Sequence, residues 1–216
     1  MFSPRKVMPV VRILNAYLLI AILSITIACH SALAAPPVEE YGQRTLDQGI
    51  ALLKDSSLSG SARKAAMRTF LSENFDVKRI ALFALGNAAA SASPQELVEY
   101  LKSFETLTLD TYVSMIGDYG GQQVRVTGSK ERAPDDFILS ADVTDPVAAH
   151  DEKPLLVRFR VLLEGGRYSV VDASVQGVWF ELAQRDSVQG FLGANGGSIS
   201  KLITHINQLS GQSPKQ

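Results

Sequence analysis

The sequence predicts an α+β fold in which a helical N-terminal half packs on one face of a twisted four-stranded antiparallel sheet. Three observations support this prediction. Apolar residues recur at helical spacing over residues 36–119, and they alternate with polar residues over residues 120–175. Helical spacing then returns towards the C-terminal end, so we expect short helices to close the domain.

The composition is that of one ordinary globular domain. The chain has 216 residues, of which 46% are hydrophobic and 20% charged, with 21 basic and 22 acidic side chains. This apolar content excludes wholesale disorder, and the composition is neither collagen-like nor that of a disulfide scaffold. The near-neutral charge argues against a nucleic-acid-binding protein.

The N-terminal segment Met1–Ala34 has the pattern of a cleavable secretory signal peptide. It contains basic but no acidic residues, an apolar run over residues 13–28, and a final Ala32-Leu33-Ala34, the small-x-small sequence that signal peptidase recognises. As a helix the apolar run would span about 24 Å, less than the roughly 30 Å of a bilayer core. A permanent membrane anchor is therefore the less favoured alternative.

A second alternative concerns Cys29, the only cysteine of the chain. In a lipoprotein this cysteine would be acylated and become the mature N-terminus, but Thr26 stands three residues before it, where leucine is typical. Cleavage after Ala34 instead leaves 182 residues without cysteine, carrying a net charge of about −4. We therefore predict a single exported domain over residues 35–216 that folds without disulfides.

Two helices are predicted first, and a break rich in serine and glycine separates them. Residues 56–61 interrupt the helical pattern, and the second helix follows over residues 61–75. The apolar stripe of the first helix consists of Leu46, Ile50 and Leu53.

The next two helices carry clear capping signals. Asp76 is placed to cap a short third helix, and Gly86 ends it where a left-handed C-cap favours glycine. Ser93, Pro94 and Glu96 then form a capping box with proline at the first helical position. We expect the helix that they open to continue for about 22 residues. Its predicted inward stripe consists of Leu97, Leu101, Phe104, either Thr108 or Leu109, Tyr112 and Ile116.

Four strands of alternating polarity follow, joined by hairpins or short loops. A tight hairpin is predicted at Gly165-Gly166, and successive hairpins give an antiparallel meander with one apolar face. Neither this glycine pair nor Gly120-Gly121 has the spacing of a P-loop or of a dinucleotide-binding fingerprint. The apolar face includes Val124, Val126, Phe137, Leu139, Ala141, Val143, Leu155, Val157, Phe159, Val161 and Leu163.

The opposite face of the sheet carries Arg125, Arg158 and Arg160, with Asp142 among them. Strand parity places these arginines away from the apolar residues. The face is either a solvated surface or a docking surface for an acidic partner or for anionic headgroups. The acidic surplus of the exported domain limits general adhesion to membranes.

Residues suited to catalysis or metal binding are scarce. No serine stands in a nucleophile-elbow pattern, and only His150 and His205 remain as histidines after the leader. Asp172 stands between apolar residues of the last strand, where it either accepts backbone amides or acts as a base. We expect no catalytic residue, no metal and no cofactor.

An ordered series of motifs runs through most of the exported domain. The longest is GRYSVVDASVQGVW over residues 166–179, followed by a Gln-Arg pair and by a glycine pair ahead of the last helix. Residues 74–77 and 93–95 precede it. Together, over residues 38–209, these motifs resemble the MlaC family, the periplasmic auxiliary components of phospholipid-trafficking ABC systems, also called toluene-tolerance proteins.

Two departures from the family pattern bear on the identity of the lipid. Trp179 stands where many members have serine after a Gly-Val step, and this Gly-Val-Trp step is similar to that of a hopanoid-associated branch, HpnM. The loop over residues 145–153 also differs from the family's usual forms. The resemblance therefore implies a lipid ligand and leaves open whether it is a phospholipid or a hopanoid-type lipid.

The resemblance implies a deep apolar cavity between sheet and helices that encloses acyl chains. An acyl chain in water costs about 0.8 kcal/mol per methylene, so a two-chain lipid crosses an aqueous compartment only with its tails covered. A protein of this family in a Gram-negative bacterium is expected to carry a lipid through the periplasm, between an outer-membrane lipoprotein complex and an inner-membrane ABC transporter with its MCE-domain protein. The residues that we expect to contact the lipid are Phe83, Leu101, Phe104, Tyr112, Ile116, Val126, Leu139, Val157, Phe159, Val161 and Trp179.

Two other classes of function remain as hypotheses. One is an enzyme that acts on a hydrophobic substrate with Asp172 as its base. The other is an interaction protein with a filled core, which docks through the arginine face of the sheet. A cavity large enough for acyl chains would distinguish a carrier from the filled-core protein.

Overall fold

In a computed structural model, the described residues are 37–116, 120–147 and 153–212, and the side chains of residues 115, 116 and 212 are not described. The predicted leader, Cys29 and His150 therefore lie outside the described residues, and so does the side chain of Ile116. All the described elements belong to one compact unit. Among the described residues, no helix combines the length and the apolar character needed to cross a membrane.

Helices form the N-terminal half and the C-terminal end of the described chain. They are α1 (Val38–Lys54), α2 (Gly60–Asn74), α3 (Val77–Leu85), a 3-10 helix (Gly86–Ser91), α4 (Pro94–Ile116), α5 (Phe180–Ala194) and α6 (Ile199–Gln212). The strands lie between α4 and α5 in the chain. They are β1 (Gln123–Ala133), β2 (Asp136–Thr144), β3 (Leu155–Glu164), β4 (Arg167–Val175) and β5 (Val178–Trp179).

The strands pair antiparallel in the order in which they follow one another, β1-β2-β3-β4-β5. The α+β fold is thus confirmed, but the sheet has one strand more than the sequence predicted. The extra strand forms because Gln176 and Gly177 both adopt a left-handed backbone, with φ of 51° and 86°, which reverses the chain after β4. The predicted hairpin at Gly165-Gly166 is present, and both of its residues have positive φ.

The capping signals act as the sequence predicted. The Ser93 hydroxyl accepts the Glu96 N–H at 3.2 Å, and the Glu96 carboxylate accepts the Ser93 N–H at 3.0 Å. Asp76 accepts the Arg79 N–H at 2.9 Å, and Gly86 ends α3 with φ of 55°. These bonds fix the beginnings of α3 and α4, which carry much of the helical core.

Two groups of buried side chains hold the fold together. The larger one lies among α2, α3, α4, α5 and α6 and includes Ile80, Tyr100 and Leu202, each at most 1% exposed. The smaller one lies between α1 and the sheet and includes Leu139 and Val161. We call them the helical core and the sheet core. The space between them contains the candidate site.

Helix α5 also closes the C-terminal end of α3. Gln189 donates to the carbonyls of Ala84 and Leu85 at 2.8 and 2.9 Å, and Arg185 donates to the Phe83 carbonyl. The last carbonyls of a helix have no partner within the helix, so these bonds satisfy them. The Gln-Arg motif noted in the sequence therefore includes a residue that joins two helices.

Candidate functional site

A cavity of about 530 Å³ lies between the sheet and the helices α1 and α2. Its size falls within the range of about 300 to 1,000 Å³ that is usual for small-molecule sites. None of the described residues that line it is Asp, Glu, Lys, Arg or His. Polar side-chain groups on this wall come from Tyr41, Thr45, Tyr112 and Gln122. The cavity is therefore suited to an uncharged, mostly apolar ligand or to the apolar part of a larger one.

The sheet supplies one wall through alternate residues of its strands. Cross-strand partners share a face, so Val124, Val143 and Leu155 form one row of the wall. Leu155 is 38% exposed, which marks this row as the mouth of the cavity. Val161 lies six residues further along β3, opposite Val170 of β4, and Val161 is 0% exposed. The cavity thus deepens from an open end to a buried end along the strands.

Helix α1 supplies the opposite wall and approaches the sheet closely at a glycine. A Cβ atom placed on Gly42 would overlap with the side chain of Leu139, and one on Gly49 would lie 3.2 Å from the ring of Phe70. Because both glycines lack side chains, α1 can lie near its neighbours while its remaining inward residues line the cavity. Leu46 and Ile50 are among those residues.

Tyr112 brings a hydroxyl group to the cavity wall from α4. Its oxygen lies 3.4 Å from the amide nitrogen of Gln184. Burial, and secondly the negative charge of Asp172, raises the pKa of Tyr112 to about 12. The phenol is therefore neutral at physiological pH, and the wall stays uncharged at this point.

Asp172 serves as a remote N-terminal cap of α5. Its carboxylate accepts the N–H groups of Ala173 at 2.8 Å and Glu181 at 2.9 Å. Burial raises its pKa, whereas those backbone hydrogen bonds act in the opposite direction. Asp172 pairs with Arg160 across the sheet, so both side chains lie on the face away from the cavity. The residue that sequence reasoning considered as a base does not line the cavity.

Five of the eleven residues that the sequence predicted as lipid contacts line the cavity, and their contact with lipid stays a prediction. A sixth, Val126, packs against the sheet core without lining the cavity. The five that line it are Tyr112, Leu139, Val157, Phe159 and Val161.

The structure corrects the placement of four other predicted contacts. Leu101 and Phe104 pack in or against the helical core, because α4 is surrounded by helices along most of its length. Phe83 is 36% exposed, and the guanidinium of Arg185 lies 4.8 Å from its ring centroid. Trp179 is the cross-strand partner of Ser174, which places it on the outer face of the sheet.

Sequence reasoning missed the contribution of α1 and α2. The stripe of Leu46, Ile50 and Leu53 was visible in the sequence, as were the two glycines on the same side of α1 at positions 42 and 49. A glycine spacing of seven residues, two helical turns, was the signal that this side of the helix packs closely against a neighbouring element. The residues added by α2 include Met67, Phe70 and Leu71.

The three arginines of the predicted docking surface lie on the outer face of the sheet, but they are not equivalent. Arg160 forms two hydrogen bonds of 3.1 Å with the carboxylate of Asp136, which is 9% exposed. Arg125 is exposed and Arg158 half-buried, and neither has an ion-pair partner among the residues that the structure describes. Arg160 is thus occupied within the fold, whereas Arg125 and Arg158 are available to a partner.

The described residues contain no group of three or more His, Cys, Asp or Glu side chains that could hold a metal ion. His205 lies in α6 and stacks on Phe191, with 4.5 Å between the ring centroids. This contact assigns the histidine a packing role between α5 and α6.

Comparisons with known proteins identify a family and a solved structure of similar fold. A family model described as MlaC protein matches residues 43–208. No curated protein matches the sequence significantly. Seven chains of solved structures match, among them the phospholipid-binding protein from Ralstonia solanacearum in complex with a phospholipid. That protein is 17% identical to this chain with a TM-score of 0.69, and the match covers 81% of this chain and 97% of that chain. At this identity the likeness shows a shared fold.

Proposed function

Because the chain belongs to the MlaC family, we propose that it is a lipid carrier that encloses the tails of a phospholipid in the cavity. The observation that carries the proposal is a cavity of about 530 Å³ whose described wall contains no Asp, Glu, Lys, Arg or His side chain. A phospholipid is favoured as the ligand because the Ralstonia solanacearum protein of similar fold is described in complex with one.

The arrangement of the cavity suits a ligand that is apolar at one end and polar at the other. Moving a methylene from water to an apolar wall lowers the free energy of the complex by about 0.8 kcal/mol. A charged headgroup would lose its hydration inside the cavity without finding an opposite charge on the described wall. The tails therefore enter past Leu155, and the headgroup stays at the mouth.

The proposal extends to the location and the partners of the protein. The leader Met1–Ala34 directs the chain to the periplasm, and the domain over residues 35–216 carries its cargo between an outer-membrane lipoprotein complex and an inner-membrane MCE-domain transporter. Arg125 and Arg158 contact acidic groups on one of these partners, since neither is paired within the described chain. Arg160 contributes less, because it is held by Asp136.

The other hypotheses receive less support. A filled-core interaction protein would have no cavity between its cores. An enzyme would need a base at its substrate, and Asp172 instead caps α5 on the other side of the sheet. A hopanoid-type ligand was suggested by Trp179, and that side chain lies on the outer face, where it cannot select a ligand inside the cavity.

Native mass spectrometry of the periplasmic protein tests the proposal. The chain is produced with its own leader in a Gram-negative host, purified from the periplasm without detergent, and extracted for lipid analysis. We expect a polypeptide that begins at Ala35 and carries the added mass of a phospholipid, which the extract identifies. Protein without any bound lipid would contradict the proposal, and a hopanoid in the extract would replace the phospholipid as cargo.

A further inference from the structure

Phe75 stands between the lipid cavity and a second cavity of about 360 Å³. Of the described residues, it is the one that lines both, and it also packs against both the helical core and the sheet core. The second cavity lies beyond it, where Val77 and Leu101 provide apolar surface and Lys78 and Glu105 lie at the exposed rim. Phe75 is thus a partition with empty space on each side.

The backbone on each side of Phe75 is fixed to the fold. Its N–H donates to the Leu71 carbonyl at 2.9 Å, and the next residue, Asp76, donates to the Val170 carbonyl at 2.9 Å. The ring lies against Tyr112, with 5.7 Å between the centroids. Because main chain and ring are both held, the partition keeps its place when a ligand presses on it.

The position of Phe75 defines the length of the cavity. It bridges to Val170, the partner of Val161, whereas Leu155 marks the mouth. The six residues from Leu155 to Val161 span about 20 Å of strand. An extended alkyl chain advances about 1.3 Å per methylene, given carbon–carbon bonds of about 1.5 Å, so about 16 methylenes fill this length.

We propose that Phe75 is the end wall of the lipid cavity and sets the length of the alkyl chain that it accepts. The inference rests on the proposed carrier function and adds a residue that determines specificity. An alkyl chain that is longer than the distance from the mouth to Phe75 leaves methylenes exposed at the mouth. A shorter alkyl chain leaves part of the apolar wall without contact. Without the Phe75 ring, the end of the alkyl chain enters the second cavity between Val77 and Leu101.

The test measures which chain lengths the protein selects. Delipidated wild-type protein and Phe75→Ala are incubated with vesicles that contain equal amounts of phosphatidylglycerols with monounsaturated chains of 14 to 22 carbons. Native mass spectrometry then gives the bound fraction of each lipid. We expect a wild-type maximum near 16 carbons and a maximum at longer chains for Phe75→Ala. Each additional methylene that becomes buried should raise relative loading about four-fold.

Two control variants and two further substitutions at position 75 make the outcome decisive. Leu101→Ala enlarges the second cavity but keeps the ring, so its profile should match the wild type. Phe70→Ala widens the lipid cavity at the wall formed by α2. The amount of lipid bound should therefore change, while the preferred alkyl-chain length stays the same. Phe75→Leu preserves more of the packing if the alanine variant fails to fold, and Phe75→Trp should favour shorter chains.

The outcomes separate the two proposals. Lipid loading with the same preferred length in the wild type and in every folded Phe75 variant would overturn the end-wall proposal and leave the carrier function standing. An equal shift in Phe70→Ala would also overturn it, because width rather than the partition would then set the preference. A wild-type protein that takes up none of these lipids would contradict the carrier function itself.

Discussion

The side-chain amide of Gln43 forms hydrogen bonds with the outer edge of the sheet at Val126. Its oxygen accepts the Val126 N–H at 2.8 Å, and its nitrogen donates to the Val124 carbonyl at 3.4 Å. Strand β1 lies at the edge of the sheet and has unpaired backbone groups on that side. One side chain of α1 thus satisfies two of these groups and ties a wall of the cavity to the sheet.

Replacing Gln43 by leucine should loosen this wall. The substitution leaves the Val126 N–H and the Val124 carbonyl without their partner, so we expect a loss of about 1–3 kcal/mol in the free energy of unfolding. Bound lipid should also pass to acceptor vesicles faster than from the wild type. Urea unfolding and the transfer of a fluorescent phospholipid measure the two effects.

The matched control is Gln48→Leu, because Gln48 is exposed on the same helix. An exposed substitution of this kind should change stability by no more than about 0.5 kcal/mol. If both variants behave alike, the hydrogen bonds of Gln43 do not hold α1 in place.

Adding a methyl group to Gly42 should reduce lipid loading. A Cβ at this position overlaps with Leu139, so either α1 moves away from the sheet or Leu139 turns into the cavity. Both responses deform the lipid site. Native mass spectrometry of Gly42→Ala should therefore show a smaller lipid-bound fraction than the wild type.

Gly190→Ala provides the comparison, since nothing lies within 4 Å of a Cβ at that position in α5. Alanine is favoured over glycine in a helix by about 0.5–1 kcal/mol, so this variant should be more stable and load normally. Undiminished loading of Gly42→Ala would show that the close approach does not shape the cavity.

Two substitutions of Asp172 distinguish a cap from a catalytic base. Asn keeps an oxygen that can accept the Glu181 N–H, whereas Ala removes it. We expect Asp172→Ala to lose about 0.5–2 kcal/mol of stability and Asp172→Asn to lose much less. Lipid transfer by Asp172→Asn should equal that of the wild type, and a specific loss of function in this folded variant would restore the enzyme hypothesis.

Glu181 should make stability depend on pH in a defined direction. Burial, and secondly the charge of Asp172, raises the pKa of Glu181, so folding opposes its charged form. This cost of the charged carboxylate lowers the free energy of unfolding at neutral pH. It disappears as the pH falls through the raised pKa towards the ordinary value of 4.5, because Glu181 then becomes protonated. Glu181→Gln should therefore be more stable than the wild type at pH 7, with a smaller advantage at pH 5. Urea unfolding at both pH values checks this, and a constant difference would contradict it.

The sequence was informative wherever local patterns decide the structure. The capping box at Ser93 and Glu96, the hairpin at Gly165-Gly166 and the alternation of β2 and β3 depend on neighbouring residues or on strict parity. These features predicted the helix boundaries and placed Phe159 and Val161 on the cavity side. The sheet half of the site was thus accessible before the structure.

The helical half was harder to predict, because an apolar stripe does not reveal what it packs against, and the glycine spacing of α1 indicates only a close approach. The stripe of α4 meets other helices, so Leu101 and Phe104 belong with the helical core, whereas the shorter stripe of α1 faces the cavity. Trp179 was predicted on the cavity side but lies on the outer face of the sheet, because the turn at Gln176 and Gly177 sets the register of β5. The capping of α5 by Asp172 could not be predicted either, because the Asp172 carboxylate and the Glu181 N–H are nine residues apart and no local pattern indicates their contact.

The central claim is that lipid tails occupy the space between the sheet and α1, and two adjacent residues of β3 test it. Phe159 lines the cavity and Arg158 lies on the opposite face, so Phe159→Glu places a charge among the tails while Arg158→Glu leaves the cavity unchanged. Each protein is delipidated and incubated with phospholipid vesicles, so that no partner complex takes part in loading, and is then weighed by native mass spectrometry, with circular dichroism to show that it is folded. We expect bound phospholipid in the wild type and in Arg158→Glu but not in Phe159→Glu. A wild type without lipid, or a folded Phe159→Glu that carries as much lipid as the wild type, would contradict the claim.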